Sequence, residues 1–101
     1  MTTLTDNQKH LFKTLAVHSD GVERGIHIRD ITNPVDLNIR SLDVKEISDF
    51  TGFHPVAIRG LIHNLEVKGL IIVIKNPRRG NTHVTFTDAG YELVKKYFQP
   101  L

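Results

Sequence analysis

The chain contains no cysteine. That excludes disulfide staples, thiolate zinc sites and thiol redox chemistry, and it suits a reducing cytoplasm. No apolar run approaches the ~20 residues needed to span a bilayer. The N-terminal Met-Thr-Thr-Leu-Thr-Asp has no basic stretch followed by an apolar one, so no secretory signal is expected. Internal repeats and low-complexity segments are missing too. So are a nucleophile with a paired base, a phosphate-binding glycine loop and a carboxylate pair at useful spacing. Asp30, Asp36 and Asp43 are scattered through turns, where they cap or solubilise. An enzyme is therefore not expected. Six histidines invite a metal hypothesis. His10 and His18, like His54 and His63, are too far apart to act as i, i+4 ligands, so neither a metal nor a cofactor is expected.

What is present fits one domain of 101 residues with a modest core. A domain of that size gains from the extra burial of a dimer. Formal net charge is only +2, but it is unevenly placed. Between Phe53 and Phe86 the cations Arg59, Lys68, Lys75, Arg78 and Arg79 face one acid, Glu66. That segment is +4 and the remainder of the chain is −2. A polyanion would meet such a concentrated patch, although a merely solvated polar surface has the same composition.

Thr5 and Gln8 form a capping-box pattern, and Leu11, Phe12, Leu15 and Ala16 recur at helical spacing, which predicts a helix over 6–19 ended by Asp20-Gly21. Residues 20–42 are harder to read. Ile26, Ile28, Leu37 and Ile39 alternate with polar residues around a Thr32-Asn33-Pro34 turn, as in a hairpin. A short helical turn around Ile28 to Ile31 is an equal alternative, and Arg40 to Leu42 could close a sheet. Asp43 caps the next helix, with Glu46 at its third position, Leu42 as a staple on Ile47, and Val44, Ile47 and Phe50 as its buried stripe. Thr51-Gly52 stops it and Phe53 plugs the turn. His54-Pro55 opens a further helix whose Ile58, Leu61, Ile62 and Leu65 share one face, closed by Lys68-Gly69. Leu70 to Lys75 is a β-branched run, Asn76 to Asn81 a turn-forming loop and Thr82 to Phe86 a returning strand. Thr87 then caps a last helix over 88–98.

The expected fold is mainly α with a small antiparallel β wing. It is a winged helix-turn-helix in one domain over 1–101, with the helix-turn-helix at 43–68, the wing at 70–86 and terminal helices at 6–19 and 88–98. The second helix of such a unit fits the major groove, where base edges carry a readable donor and acceptor pattern. Its outward side here carries Val56, Arg59, Gly60 and His63, flanked by Asn64. Arg59 suits guanine, and Pro55 and Val56 suit thymine methyls. Gly60 costs ~1 kcal/mol relative to alanine in a helix interior, which close approach of another backbone would explain. Lys75, Arg78, Arg79 and Asn81 on the wing would meet the phosphates or a narrow minor groove. The last helix is apolar around much of its circumference. Leu11, Phe12, Tyr91, Val94, Tyr97 and Phe98, with Leu101, are accordingly expected at a subunit interface, a broad core helix being the plainer reading.

Over about half its length the chain resembles the MarR-type winged helix of bacterial transcriptional regulators, and it is similar to the PadR type. The resemblance lies in Val-Lys-Glu-Ile-Ser-Asp-Phe-Thr-Gly-Phe at 44–53, Leu-Glu-Val-Lys-Gly-Leu-Ile at 65–71, Asn-Pro-Arg-Arg-Gly-Asn at 76–81 and Thr-Asp-Ala-Gly at 87–90. It implies a homodimer on a pseudo-palindromic operator, acting as a repressor, dimerised through terminal helices, with Arg78 as the wing arginine. The chain departs from the pattern at Arg79, where an acid is usual, and at Asn81, where a second basic residue is usual. The expectation is a cytoplasmic, sequence-specific regulator that binds double-stranded DNA, without a membrane partner. A small-molecule effector is compatible with the resemblance, but no residue pattern supports one. The alternative is a winged helix used for protein–protein contact within a replication, secretion or regulatory assembly, which the apolar outward Val56 and Val67 favour.

Overall fold

Thr5 accepts the Gln8 N–H at 3.2 Å and Gln8 Oε1 accepts the Thr5 N–H at 3.1 Å, so the capping box forms and starts α1 (Asp6–Val17). The computed structural model describes residues 3–76 and 81–98, without the side chain of Asn76. Leu11, Phe12, Leu15 and Ala16 are buried, as their spacing predicts. At the end of α1 the Thr14 carbonyl accepts twice from His18, from its backbone N–H at 3.1 Å and from Nδ1 at 2.8 Å, so the ring folds back onto the last turn.

Asp20-Gly21 does not simply end the helix. These residues begin a second one, α2 (Asp20–Glu23), after a single turn of chain. Gly21 is there for contact: a Cβ at this position would lie 2.7 Å from the Asp36 carbonyl oxygen. The hairpin alternative for 20–42 does not form. The segment makes two 3-10 turns, Ile28–Asp30 and Pro34–Leu37, so the helical-turn alternative holds. Side chains of His27 and Asn33 cap these turns, and Pro34 supplies the fixed φ that starts the second. Ile31, Leu37 and Ile39 are inserted into the core. Two ion pairs brace the segment, Arg24–Asp36 at 2.7 Å and Arg40–Asp20 at 3.0 Å. The apolar insertions dominate energetically. Each contributes ~1.5–3 kcal/mol on full burial, whereas a surface ion pair contributes about 0–1 kcal/mol.

Asp43 caps α3 (Val44–Thr51), its carboxylate accepting the N–H groups of Lys45 and Glu46, and Gly52 ends the helix at φ 79°. Phe50 departs from expectation: it is 60% exposed. At about 100° per residue, the side turned inward runs through Val44, Ile47, Ser48 and Thr51, which leaves Phe50 off its edge. Ser48 and Thr51 take inward places because they tie the turn. Ser48 Oγ donates to the Phe53 carbonyl at 2.6 Å, and Thr51 Oγ1 donates to that of Ile47 at 2.8 Å. Phe50 rests edge-on against His18 instead, with ring centroids 5.0 Å apart.

Next comes α4 (Pro55–Val67), anchored by buried Ile58, Ile62 and Leu65. Strands β1 (Ile71–Asn76) and β2 (Asn81–Phe86) pair antiparallel, from Ile71 opposite Phe86 to Asn76 opposite Asn81. The sheet closure that Arg40 to Leu42 could make is reduced to a bridge one residue earlier, Ile39 to Val84, with the Leu42 N–H donating to the Thr82 carbonyl at 2.8 Å. Finally, α5 (Asp88–Tyr97) is capped by Thr87. Its Oγ1 accepts the Gly90 N–H at 3.1 Å and donates to the Gly69 carbonyl at 2.6 Å, so one hydroxyl joins the last helix to the base of the hairpin. α3, the turn, α4 and the hairpin make up a winged helix-turn-helix. One core cluster links it to α1, α5 and the 20–42 segment.

Gly90 sits where α5 crosses the hairpin base, and a Cβ there would overlap the Leu70 carbonyl. Changing Gly90→Ala is therefore expected to destabilise the fold by about 1–3 kcal/mol despite alanine's better helix propensity. A thermal melt of the variant that matched the native chain would contradict this packing.

Candidate nucleic-acid interface

Two elements meet at the basic side of the molecule. On α4, Val56, Arg59, Gly60 and His63 lie at i, i+3, i+4 and i+7 and are all exposed, opposite the buried Ile58, Ile62 and Leu65. Asn64 is exposed beside them and Pro55 is half-buried at the helix start. Val56 is 65% exposed. Nothing among the described residues covers this side: a Cβ on Gly60 would find open space within 4 Å. The low-propensity glycine is thus not explained by a neighbouring helix of the same subunit.

The hairpin stands beside that face. A cleft of about 470 Å³ runs between them, with Leu42, Val44, Ile62 and Val73 as its apolar lining and Arg59, His63, Glu66, Lys75 and Thr82 as its polar one. Arg59, His63 and Lys75, expected separately on helix and wing, therefore share one groove. Lys75 is exposed. Asn81 is half-buried and its Oδ1 is shielded from solvent, so that oxygen does not face a ligand. Arg78 and Arg79 lie outside the described residues. Lys68, counted in the basic segment, donates to the Thr3 carbonyl at 3.0 Å and so reaches toward the N-terminal segment.

His54 adds a group that the sequence reading used only as a helix start. Its Nδ1 accepts the Val56 N–H at 3.1 Å, which places the ring proton on Nε2. An exposed N–H donor thus stands at the positive end of the α4 dipole. Glu66 was also passed over, and it accepts the Val73 N–H at 3.2 Å across the cleft. Its signal was available, as the one acid in a run of five cations. Among the described residues no group of three or more histidine or carboxylate side chains is placed to hold a metal.

The expected subunit interface needs correction. Leu11 and Phe12 are 0% exposed and Val94 is 2% exposed, so these side chains are core and unavailable to a second copy. They are apolar at helical spacing because α1 and α5 pack inside this subunit; the Phe12 ring meets Phe86 at a tilt and Tyr97 edge to face, at 5.4 and 6.0 Å between centroids. Tyr91, Tyr97 and Phe98 are half-buried. Each has a lysine over its ring: Lys95 at 5.3 Å, Lys9 at 5.0 Å and Lys13 at 5.4 Å respectively. Burial holds the Tyr97 hydroxyl above its ordinary pKa. Leu101 lies outside the described residues.

No family profile matches the sequence, and no curated protein matches it. Solved structures do. MepR, a transcription regulator of the Staphylococcus aureus multidrug efflux pump MepA, is 19% identical with a TM-score of 0.61, over 93% of this chain and 55% of that one. The S. aureus MepR–DNA complex is similar at 20% identity and a TM-score of 0.62, over 94% and 56%. A MepR mutant from a multidrug resistant S. aureus clinical isolate gives 18% and 0.64, over 97% and 58%. The chain therefore spans a little over half the length of the chains it matches. At these identities the likeness is one of fold, and it is the winged helix that the MarR- and PadR-type resemblance implied.

The open space at Gly60 generates a two-sided expectation for Gly60→Ala. Stability should rise by ~1 kcal/mol, since alanine is the better helix former and meets no neighbour. Binding to a duplex should weaken if a nucleic-acid backbone fills that space. A thermal melt and a duplex titration on the same variant check both halves.

Proposed function

We propose that this chain is a sequence-specific, DNA-binding transcription regulator that acts as a repressor. In this reading α4 enters the major groove, and the hairpin over 75–82 lies on the backbone or in the minor groove. The observation that carries the reading is the shared groove: Arg59 and His63 on the open side of α4, with Lys75 of β1 across from them. A cylinder with one face anchored and the other open is what groove insertion requires. Cations on two adjoining elements can then hold both the base edges and the phosphates that flank them. The fold shared with a MepR–DNA complex supports the same use. Such a protein works in the cytoplasm beside the chromosome, and chemistry on a substrate is no part of the role.

Two copies on a pseudo-palindromic site belong to this proposal, by the analogy of the resemblance. Tyr91, Tyr97 and Phe98 are the side chains left to join them. Their lysine covers would have to swing away, so the contact is weaker than an open aromatic patch would give. Sedimentation with and without a palindromic duplex reads this directly: a dimer on DNA is expected, and a strict monomer on a palindrome removes that part of the proposal.

Exposed Val67, Ile72 and Ile74 favour a second reading, a winged helix that docks on another protein. Salt separates the two. Phosphate contacts release counterions, so affinity for a duplex should fall log-linearly with salt, with a slope near −0.9 per contact. Lys75→Ala is expected to reduce that slope by about 1 and to weaken all duplexes alike. Arg59→Ala is expected to relax base preference at one position by ~1–3 kcal/mol. A salt-independent affinity, or no duplex binding at low salt, would favour the protein-docking alternative.

A further inference from the structure

Val73 lies on the outer edge of the hairpin. Its cross-strand partner, Val84, spends its own N–H and carbonyl on Ile39, at 2.9 and 2.8 Å, on the far side of β2. Residue pairs in an antiparallel ladder alternate between bonded and non-bonded. Val73 is in a non-bonded pair, and its N–H points away from β2. It points at Glu66 Oε2 on α4, 3.2 Å away. Glu66 is exposed and lines the same cleft as Arg59, His63 and Lys75. A carboxylate there opposes a polyanion, so charge alone makes it a poor choice for a DNA-facing groove.

We infer that Glu66 is a positioning residue that ties the free edge of the hairpin to α4 and so sets the angle between wing and helix. At its base the hairpin is held by the turn that closes α4, where the Gly69 N–H donates to the Glu66 backbone carbonyl at 2.9 Å and the Leu70 N–H donates to the Leu65 carbonyl at 3.1 Å. Val73 is three residues further out, ~10 Å along an extended strand. The bridge from Ile39 to Val84 and the Leu42 bond to Thr82 hold the β2 edge at that height, and the Glu66 attachment holds the opposite, β1 edge directly to α4. The carboxylate suits the task because a charged acceptor strengthens a bond to a backbone N–H. It also satisfies an edge donor that would otherwise be open to pairing with another strand. The consequence for DNA rests on the regulator reading above; the tie itself does not.

Three variants separate the tie from the charge. Glu66→Gln keeps a carbonyl acceptor of the same reach and removes the charge. Glu66→Ala removes both, and Glu66→Asp keeps the charge one methylene short. Amide hydrogen exchange at Val73 should stay slow in the Gln variant. It should quicken about tenfold in the Ala variant, the equivalent of one net hydrogen bond, and quicken in the Asp variant also. Duplex titrations at fixed salt should show the Gln variant binding more tightly than the native chain and the Ala variant about tenfold more weakly than Gln, although both have lost the same charge. Equal Val73 exchange in all four chains would overturn the tie. Equal duplex affinity of Gln and Ala would reduce Glu66 to a charge. If the native chain binds no duplex at low salt, the regulator reading fails and the exchange rates alone decide the tie.

Discussion

The burial of one side of α4 is the constraint from which the rest of the molecule follows. Ile58, Ile62 and Leu65 sit in the core with Leu11, Phe12 and Leu15 of α1. A helix held along that stripe cannot rotate without exposing it, and each of those side chains contributes ~1.5–3 kcal/mol by staying out of water. The orientation of Val56, Arg59, Gly60 and His63 toward solvent is the other half of the same fact. α3 and its turn then serve to fix where α4 starts. The Ser48 hydroxyl on the Phe53 carbonyl and the His54 ring on the Val56 N–H close the two sides of that corner.

The hairpin is held at four places. The turn after α4 sets its base, the Thr87 hydroxyl joins that base to α5, the bridge from Ile39 to Val84 holds the β2 edge, and the Glu66 carboxylate meets the Val73 N–H on the β1 edge. The 20–42 segment is therefore a strut, wedged between α1 and the sheet by Ile31, Leu37 and Ile39 and finished at the surface by the Tyr91 hydroxyl on the Ile31 carbonyl at 3.3 Å. Its two ion pairs add geometry more than energy. Arg59 and Lys75 can share a groove because helix and sheet are both anchored to the core that this strut completes.

Polar groups were assigned by shape before charge. Glu66 stands among cations because an edge N–H needed an acceptor, and Ser48 and Thr51 displace Phe50 from the inner side of α3 because the turn needed donors. The lysines over Tyr91, Tyr97 and Phe98 likewise shield aromatic faces that a short terminal helix leaves half-open. In each case a backbone or ring group that must be satisfied decided the placement, and apolar periodicity yielded to it.

Local chemistry determined the caps, turns and helices on its own. Thr5, Asp43, Thr87, Pro55 and Gly52 act within a few residues of themselves, so their roles are readable in one dimension. The buried stripe of α4 follows from its spacing in the same way, and the winged-helix order followed from those elements. Tertiary structure decided everything that depended on contact across the chain. Gly21 read as a helix stop in the sequence but is a point of backbone approach, and so is Gly90 inside the last helix. Residues 20–42 alternated like strands yet were drawn into 3-10 turns by their insertion into the core. Leu11, Phe12 and Val94, expected at a subunit interface, are instead buried within the subunit where α1 and α5 pack on the core. The grouping of Arg59, His63 and Lys75, with Glu66 between helix and hairpin, depends on the angle between those elements, and no local pattern encodes an angle.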